Sequence, residues 1–196
     1  MITASALTAR GVFTDVNFDV PTGAMLVIAG DHRSGKTALL LAIASRFSVK
    51  GALETAPRGK VALAEQQTVN ALDEALTVEQ HFAQAVALTR PWFKPFVSRS
   101  AARAAAHVLP IELPLGSRIG SLTPVERFAC GVGLALVASP DILAVDDVDA
   151  LRETADRVAA WQLLLDLPAD LTIVATCQDP GERPEVSDRR VIQVTL

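Results

Sequence analysis

The chain has 196 residues, half of them apolar, with 18 basic against 22 acidic side chains and a formal net charge of −4. That suits one domain, or one domain carrying an insertion, with enough apolar material for a packed core, and it excludes a disordered or fibrous chain. Without a long basic block no nucleic-acid partner is expected, and the longest apolar runs, Ala38–Ala44 and Cys130–Ala138, fall far short of the ~20 residues that span a bilayer.

In chain order, Met1–Ala9 lacks the basic-then-apolar pattern of a signal peptide. Val12–Val20 alternates with a period near two and predicts a half-exposed strand; Pro21-Thr22-Gly23 is a turn. Met25–Ala29 is an all-apolar run, as in a strand buried on both faces. Gly30–Gly35 reads as a loop, and Thr37–Phe47 as a helix with Leu40, Leu41, Ala44 and Phe47 on its apolar face. Val61–Ala64 is a short strand candidate. From Asn70 to Gly120 the pattern turns helical. Thr77 and Gln80 form a capping box ahead of a helix that Pro91 stops, and Ala101–Leu109 is a second helix stopped by Pro110. Ile142–Val145 predicts a buried strand, Arg152–Leu167 a helix, Leu171–Ala175 another buried strand, and Arg189–Leu196 an edge strand. Strands alternating with helices predict an α/β fold with a mainly parallel sheet.

Gly30-Asp31-His32-Arg33-Ser34-Gly35-Lys36-Thr37 fits the G-x-x-x-x-G-K-[ST] pattern in full, between a buried strand and a helix. Glycines let the backbone wrap phosphate oxygens, and the N–H groups opening the helix, from Lys36 through Ala38, point at the anion. Lys36 supplies a charge for the β- and γ-phosphates, and the Thr37 hydroxyl is a Mg²⁺ ligand. His32 and Arg33 are bulky for this loop and are expected to project outward or to touch the ligand. Ile142–Val145 runs into Asp146 and Asp147, which places a carboxylate at the carboxyl end of a buried strand. Asp146 is the candidate for the Mg²⁺ shell, and Asp147 either orients water or is a solvated turn residue.

The order of these elements resembles the ATP-binding cassette family, the nucleotide-binding subunits of ABC transporters. The P-loop comes first, then Gln66-Gln67, a helical stretch, Leu122-Thr123-Pro124-Val125-Glu126, and Ile142–Asp147, with Lys36 and Asp146 110 positions apart. The resemblance implies a P-loop core with a small antiparallel subdomain near the N-terminus, a helical subdomain at about 70–122, and no C-terminal regulatory domain. It implies ATP and Mg²⁺ as ligands, and a Mg²⁺ contact from Gln66, with Gln67 as the alternative. It also implies a polytopic permease docked through the Gln66 region and the helical subdomain, and a homodimer or a heterodimer with a second cassette. The location would be cytoplasmic, on the inner face of the cell membrane, which the two cysteines, Cys130 and Cys177, also suit because they lack disulfide or metal spacing.

The chain departs from the family where hydrolysis is performed. The family's Leu-Ser-Gly-Gly-Gln signature is Leu122-Thr123-Pro124-Val125-Glu126, which keeps a hydroxyl in Thr123 and otherwise makes a good helix start. The family's catalytic glutamate is Asp147, one methylene shorter. Its switch histidine is replaced by Gln178 or Cys177, and no histidine follows His107. There is no tyrosine to stack on a base, leaving Phe13 as a substitute or a core residue. These residues imply a degenerate cassette that binds Mg-ATP and hydrolyses it slowly, with Asp147 and Gln178 as its catalytic candidates and Thr123 as a nucleotide contact.

Between Gln80 and Ile111, Arg90, Lys94, Arg99 and Arg103 occur without acidic residues, with Trp92, Phe93 and Phe96 among them. The stretch is read either as a docking site for the membrane partner or as a small core with a solvated basic face. His81 and His107 are ordinary helix residues. The alternative functions are a soluble ATP-gated switch and another P-loop class. The chain has no Asn-Lys-x-Asp motif of a GTPase, and its motif order favours the transporter subunit.

Overall fold

The structure, a computed structural model, describes residues 1–55, 60–64, 72–90, 98–184 and 188–196. Gln66, Gln67, the start of the helical stretch, and the cluster of Trp92, Phe93, Lys94 and Phe96 lie outside the described residues.

Among the described residues five strands form a parallel sheet: β3 (Met25–Ala29), β5 (Val61–Ala64), β6 (Ile142–Val145), β7 (Thr172–Cys177) and β8 (Val191–Thr195), in the order β5-β6-β7-β3-β8. β8 is an edge strand, as its alternation predicts. β1 (Ile2–Ala9), β2 (Phe13–Val20) and β4 (Lys50–Thr55) form a separate antiparallel sheet ordered β2-β1-β4. This is the α/β arrangement, a parallel sheet beside a small antiparallel one, that the resemblance implies. The helices are α1 (Lys36–Ile43), α2 (Val78–Thr89), α3 (Arg99–Ala106), α4 (Pro124–Leu136) and α5 (Thr154–Leu165).

The period of two in the central strands separates two cores. Met25, Val27, Leu143, Val145, Ile173, Ala175 and Cys177 face one, shared with Phe82, Phe128 and Trp161. Leu26, Ile28, Ile142, Ala144 and Val174 face the other, shared with α1 and the antiparallel sheet. Strands buried on both faces must be apolar throughout, which is why β3 and β6 read as unbroken apolar runs.

The strand expected at Leu171–Ala175 is shifted to Thr172–Cys177, those expected at Val12–Val20 and Arg189–Leu196 are trimmed to Phe13–Val20 and Val191–Thr195, and three helices also differ from the sequence expectation. The first helix ends at Ile43, and Phe47 is 39% exposed rather than on its buried face. Ser45 adopts φ 58°. Its N–H donates to Ala42 O at 2.9 Å and that of Arg46 to Leu41 O at 2.8 Å, a Schellman stop with serine where glycine is usual. The helix expected at Ala101–Leu109 is displaced to Arg99–Ala106 because Ser98 caps it, accepting from Ala101 N. The helix expected at Arg152–Leu167 is confined to Thr154–Leu165.

Arg189 ties the lower end of the sheet together. Its guanidinium donates to the carbonyls of Gly23, Leu165, Leu167, Pro168 and Leu171 at 2.6–3.4 Å. The end of α5, the turn before β3 and the approach to β7 thus share one donor group. Replacement by Met removes these donors and leaves part-buried carbonyls unpaired. Arg189→Met is therefore expected to lower stability by roughly 2–4 kcal/mol in urea unfolding. A change within about 0.5 kcal/mol, the range of an ordinary surface substitution, would contradict this role.

Candidate functional site

The loop 30–35 leaves the carboxyl end of β3 and enters α1. Gly30 (φ 156°) and Gly35 (φ 102°) hold conformations that L side chains rarely adopt. A Cβ on Gly30 would lie 2.6 Å from both Leu196 O and Ser34 Oγ, and one on Gly35 2.6 Å from Val12 Cγ1. Both glycines are therefore fixed by close packing. Asp31, His32 and Arg33 are exposed, so the two bulky residues project outward. The Lys36 ammonium donates to the carbonyls of Gly30 and Asp31, each at 2.7 Å, and so lies across the loop.

The end of α1 is prepared for an anion. It has neither a side-chain cap nor an acidic residue in its first turn. By contrast, α2 and α4 each carry a full capping box and a glutamate there, Glu79 and Glu126. The unpaired N–H groups of α1 and its dipole are left to an external ligand. Ser34 Oγ is buried in the same loop with no hydrogen-bond partner, a further donor without a protein acceptor.

Asp146 follows the last residue of β6, two strands from the loop. Thr37 Oγ1 approaches its carboxylate at 2.9 Å to Oδ2 and 3.2 Å to Oδ1, which joins the two residues predicted to share a cation. A hydroxyl and a carboxylate are hard oxygen donors of the kind Mg²⁺ takes, with phosphate oxygens and water completing its shell. Among the described residues no group of three His, Cys, Asp or Glu side chains is placed to hold a metal, so this sparse pair is the candidate.

Asp147 is exposed and has φ 52° and ψ 64°. Partial desolvation first, then the charges of Asp146 and Asp149, push its carboxyl pKa up, against Lys36 and His32. Asp149, unremarked in the sequence, accepts the N–H groups of Gln178 and of Asp179 (3.2 Å for the latter). It fastens the backbone of Gln178 to the acidic turn. Thr176, also missed, has its hydroxyl between Asp146 Oδ1 at 2.6 Å and the Asp147 N–H at 2.7 Å. A threonine inside an apolar strand reads as core, and only the strand order reveals that it borders the acidic turn.

Two alternatives are resolved. Cys177 is fully buried and faces the core opposite α1, whereas Gln178 is exposed and its N–H donates to Asp149. Phe13 is 7% exposed and packed beneath Gly35, so it is a core residue rather than a surface for stacking a base. Thr123 is the cap of α4: its hydroxyl accepts from Glu126 N at 3.3 Å and donates to Glu126 Oε2 at 3.0 Å. Ala38 packs against the α1-side core. His81 lies on α2, and His107 is the C-cap of α3.

No protein-family model matches the chain. It is 26% identical over 197 residues to the human phospholipid-transporting ATPase ABCA3, covering 93% of this chain and 11% of that protein. It is likewise 26% identical over 196 residues to the sulfate/thiosulfate import ATP-binding protein CysA of Synechocystis, covering 91% of this chain and 52% of the relative. Its fold matches the dimeric bacterial ABC transporter cassette MJ0796 with a TM-score of 0.70 at 17% identity, over 100% of this chain and 94% of that one. This chain has the fold of the ATP-binding cassettes and is similar in sequence to two ATP-binding proteins of that kind. It spans about half of one curated relative and about a ninth of the other.

Burial pushes the thiols of Cys130 and Cys177 up to about 12. Neither is expected to react with a thiol reagent at pH 8 in the folded protein, and both should react in denaturant. Rapid labelling of Cys177 under native conditions would show that the end of β7 opens.

Proposed function

We propose that this chain is the ATP-binding subunit of an ABC-type membrane transporter, coupling Mg-ATP binding to a separate permease and hydrolysing ATP slowly. One observation carries this reading. An α1 terminus free of caps and carboxylates, crossed by Lys36, lies beside the Thr37–Asp146 oxygen pair.

In this reading the loop N–H groups and Lys36 hold the β- and γ-phosphates, and Ser34 lends its hydroxyl. Thr37 and Asp146 hold Mg²⁺, with Gln66 as a further contact, and the ion offsets the phosphate charge when bound. Asp147 would orient the attacking water, and Gln178, fastened through its backbone to Asp149, would stand in for the family's switch histidine. Two features make hydrolysis slow. A carboxylate one methylene short is poorly placed for the water, and an amide does not titrate as an imidazole does.

Transport is supported by the relatives, one a transporting ATPase and one an import ATP-binding protein. The dimeric cassette of the same fold supports pairing with a second cassette, either identical or different. Among the described residues no helix is long and apolar enough to cross a membrane, and this reading assigns the membrane-spanning part to a permease partner. It would dock through the Gln66 region and the helical subdomain at about 70–122. The chain would lie on the cytoplasmic face of the membrane.

The first test is binding by calorimetry. Wild type should bind Mg-ATP, and Lys36→Ala should weaken it by at least about tenfold, the loss of one charge-assisted contact. Equal affinity in the two proteins would sink the site assignment. Turnover of the isolated protein should fall well below about 1 s⁻¹, the low end of ordinary enzymes. The second test is affinity purification from mild detergent extracts of the source cells with Mg-ATP. A stoichiometric polytopic membrane protein is expected. Recovery solely with soluble partners would replace transport by an ATP-gated regulatory switch.

A further inference from the structure

Two polar residues are buried in the core among the described residues, Thr172 and Thr176, each 1% exposed and both on β7. A hydroxyl is costly to bury unless it is bonded, and each of these is. Thr172 accepts the Gly23 N–H at 3.1 Å and so ties a turn to the sheet. Thr176 makes a different pair of bonds. Its proton goes to Asp146 Oδ1, at 2.6 Å, and its oxygen receives the Asp147 N–H, at 2.7 Å.

The placement follows from register. β7 lies between β3 and β6, with Ile28 paired to Thr176 and Val145 to Ala175. The next residue on β6 is therefore opposite Thr176, and it is Asp146. Ile28, Ala144 and Val174 all face the α1-side core, so one step of two further along β6 and β7 brings Asp146 and Thr176 to the face that carries Thr37. Asp146 consequently has one oxygen bonded from behind by Thr176 and the other facing Thr37 at 2.9 Å.

We propose that Thr176 is a positioning residue for the divalent cation that accompanies the nucleotide. By holding Oδ1 it fixes the carboxylate plane and directs Oδ2 toward Thr37. By accepting the Asp147 N–H it also holds that residue at positive φ, where few side chains rest unaided. Valine would fill the same volume in the strand without the donor or the acceptor. The inference rests on the Mg-nucleotide reading of the site, and the test separates the two.

Nucleotide affinity is measured for wild type, Thr176→Val and Thr176→Ser, each with Mg²⁺ and with EDTA. The three proteins should bind alike in EDTA. Mg²⁺ should tighten binding in wild type and Thr176→Ser, and the gain should shrink by about tenfold or more in Thr176→Val, the usual effect of removing a partner that orients a metal ligand. A full Mg²⁺ gain in Thr176→Val would overturn the proposal. So would equal losses with and without Mg²⁺, because those mark a role in folding alone. If Thr176→Val does not fold, Thr176→Ser decides through the same ratio: it keeps the Mg²⁺ gain if the hydroxyl positions Asp146, and a lost gain overturns the idea. Absence of nucleotide binding in wild type would instead sink the site reading itself.

Discussion

The site depends on parallel register. β3, β7 and β6 are neighbours, and each contributes at its carboxyl end: β3 leads into the loop, β7 carries Thr176, and β6 ends at Asp146. Side chains on a strand alternate between faces, so a slip of one residue in β6 would turn Asp146 into the opposite core and bring Val145 toward Thr37. The same rule explains Cys177. It is one residue beyond Thr176 and lies among Ile173 and Ala175 on the far side of the sheet. The apolar packing of the two cores thus enforces the geometry of oxygen atoms that themselves contribute little to holding the sheet together.

The helix ends show a second division of labour. α2, α3 and α4 begin with side-chain caps, each of which satisfies orphan N–H groups within the chain. α1 and α5 start without one; α5 carries Asp156 in its first turn, whereas α1 has no acidic residue there and follows a loop with two glycines at unusual φ and a non-glycine, Arg33, at φ 67°. Conformations of this kind cost of order 1–3 kcal/mol in a non-glycine residue and persist where the surroundings enforce them. Val12 and Leu196 leave no room for a side chain at Gly35 and Gly30, and the uncapped turn coincides with the residues that fit a phosphate.

The sequence was most legible where one physical rule acts alone. β5 and β6 match their apolar runs to the residue, and the capping boxes at Thr77 and Thr123 are formed as their spacing requires. It was least legible where two rules compete. β1 buries Ile2 and Ala4, then Leu7 and Ala9, because a bulge at Ala6 (φ 51°) shifts the alternation by one residue; neither half is long enough to read as a strand. β4 is mostly exposed and has no apolar alternation to detect. α1 ended early because Ser45 takes a conformation usually reserved for glycine. In the site, the loop and Asp146 carried local signatures, whereas Thr176 and Asp149 acquire their meaning only from strand order.

The start of α4 bears on how two such cassettes would combine. The Glu126 carboxylate receives the N–H of Thr123 at 2.8 Å and its hydroxyl at 3.0 Å. The positive end of the helix is therefore already met by a negative charge from its own first turn. Thr123 can meet a phosphate carried by a second cassette only if this box opens and Glu126 turns away, since a carboxylate and a phosphate at one helix end repel each other. The starts of α1 and α4 are thus unequal. α1 offers free donors to an anion, while α4 is closed by its own side chain. In a pair of identical copies each nucleotide would face a closed terminus. A helix terminus without that carboxylate would meet a phosphate with no such repulsion.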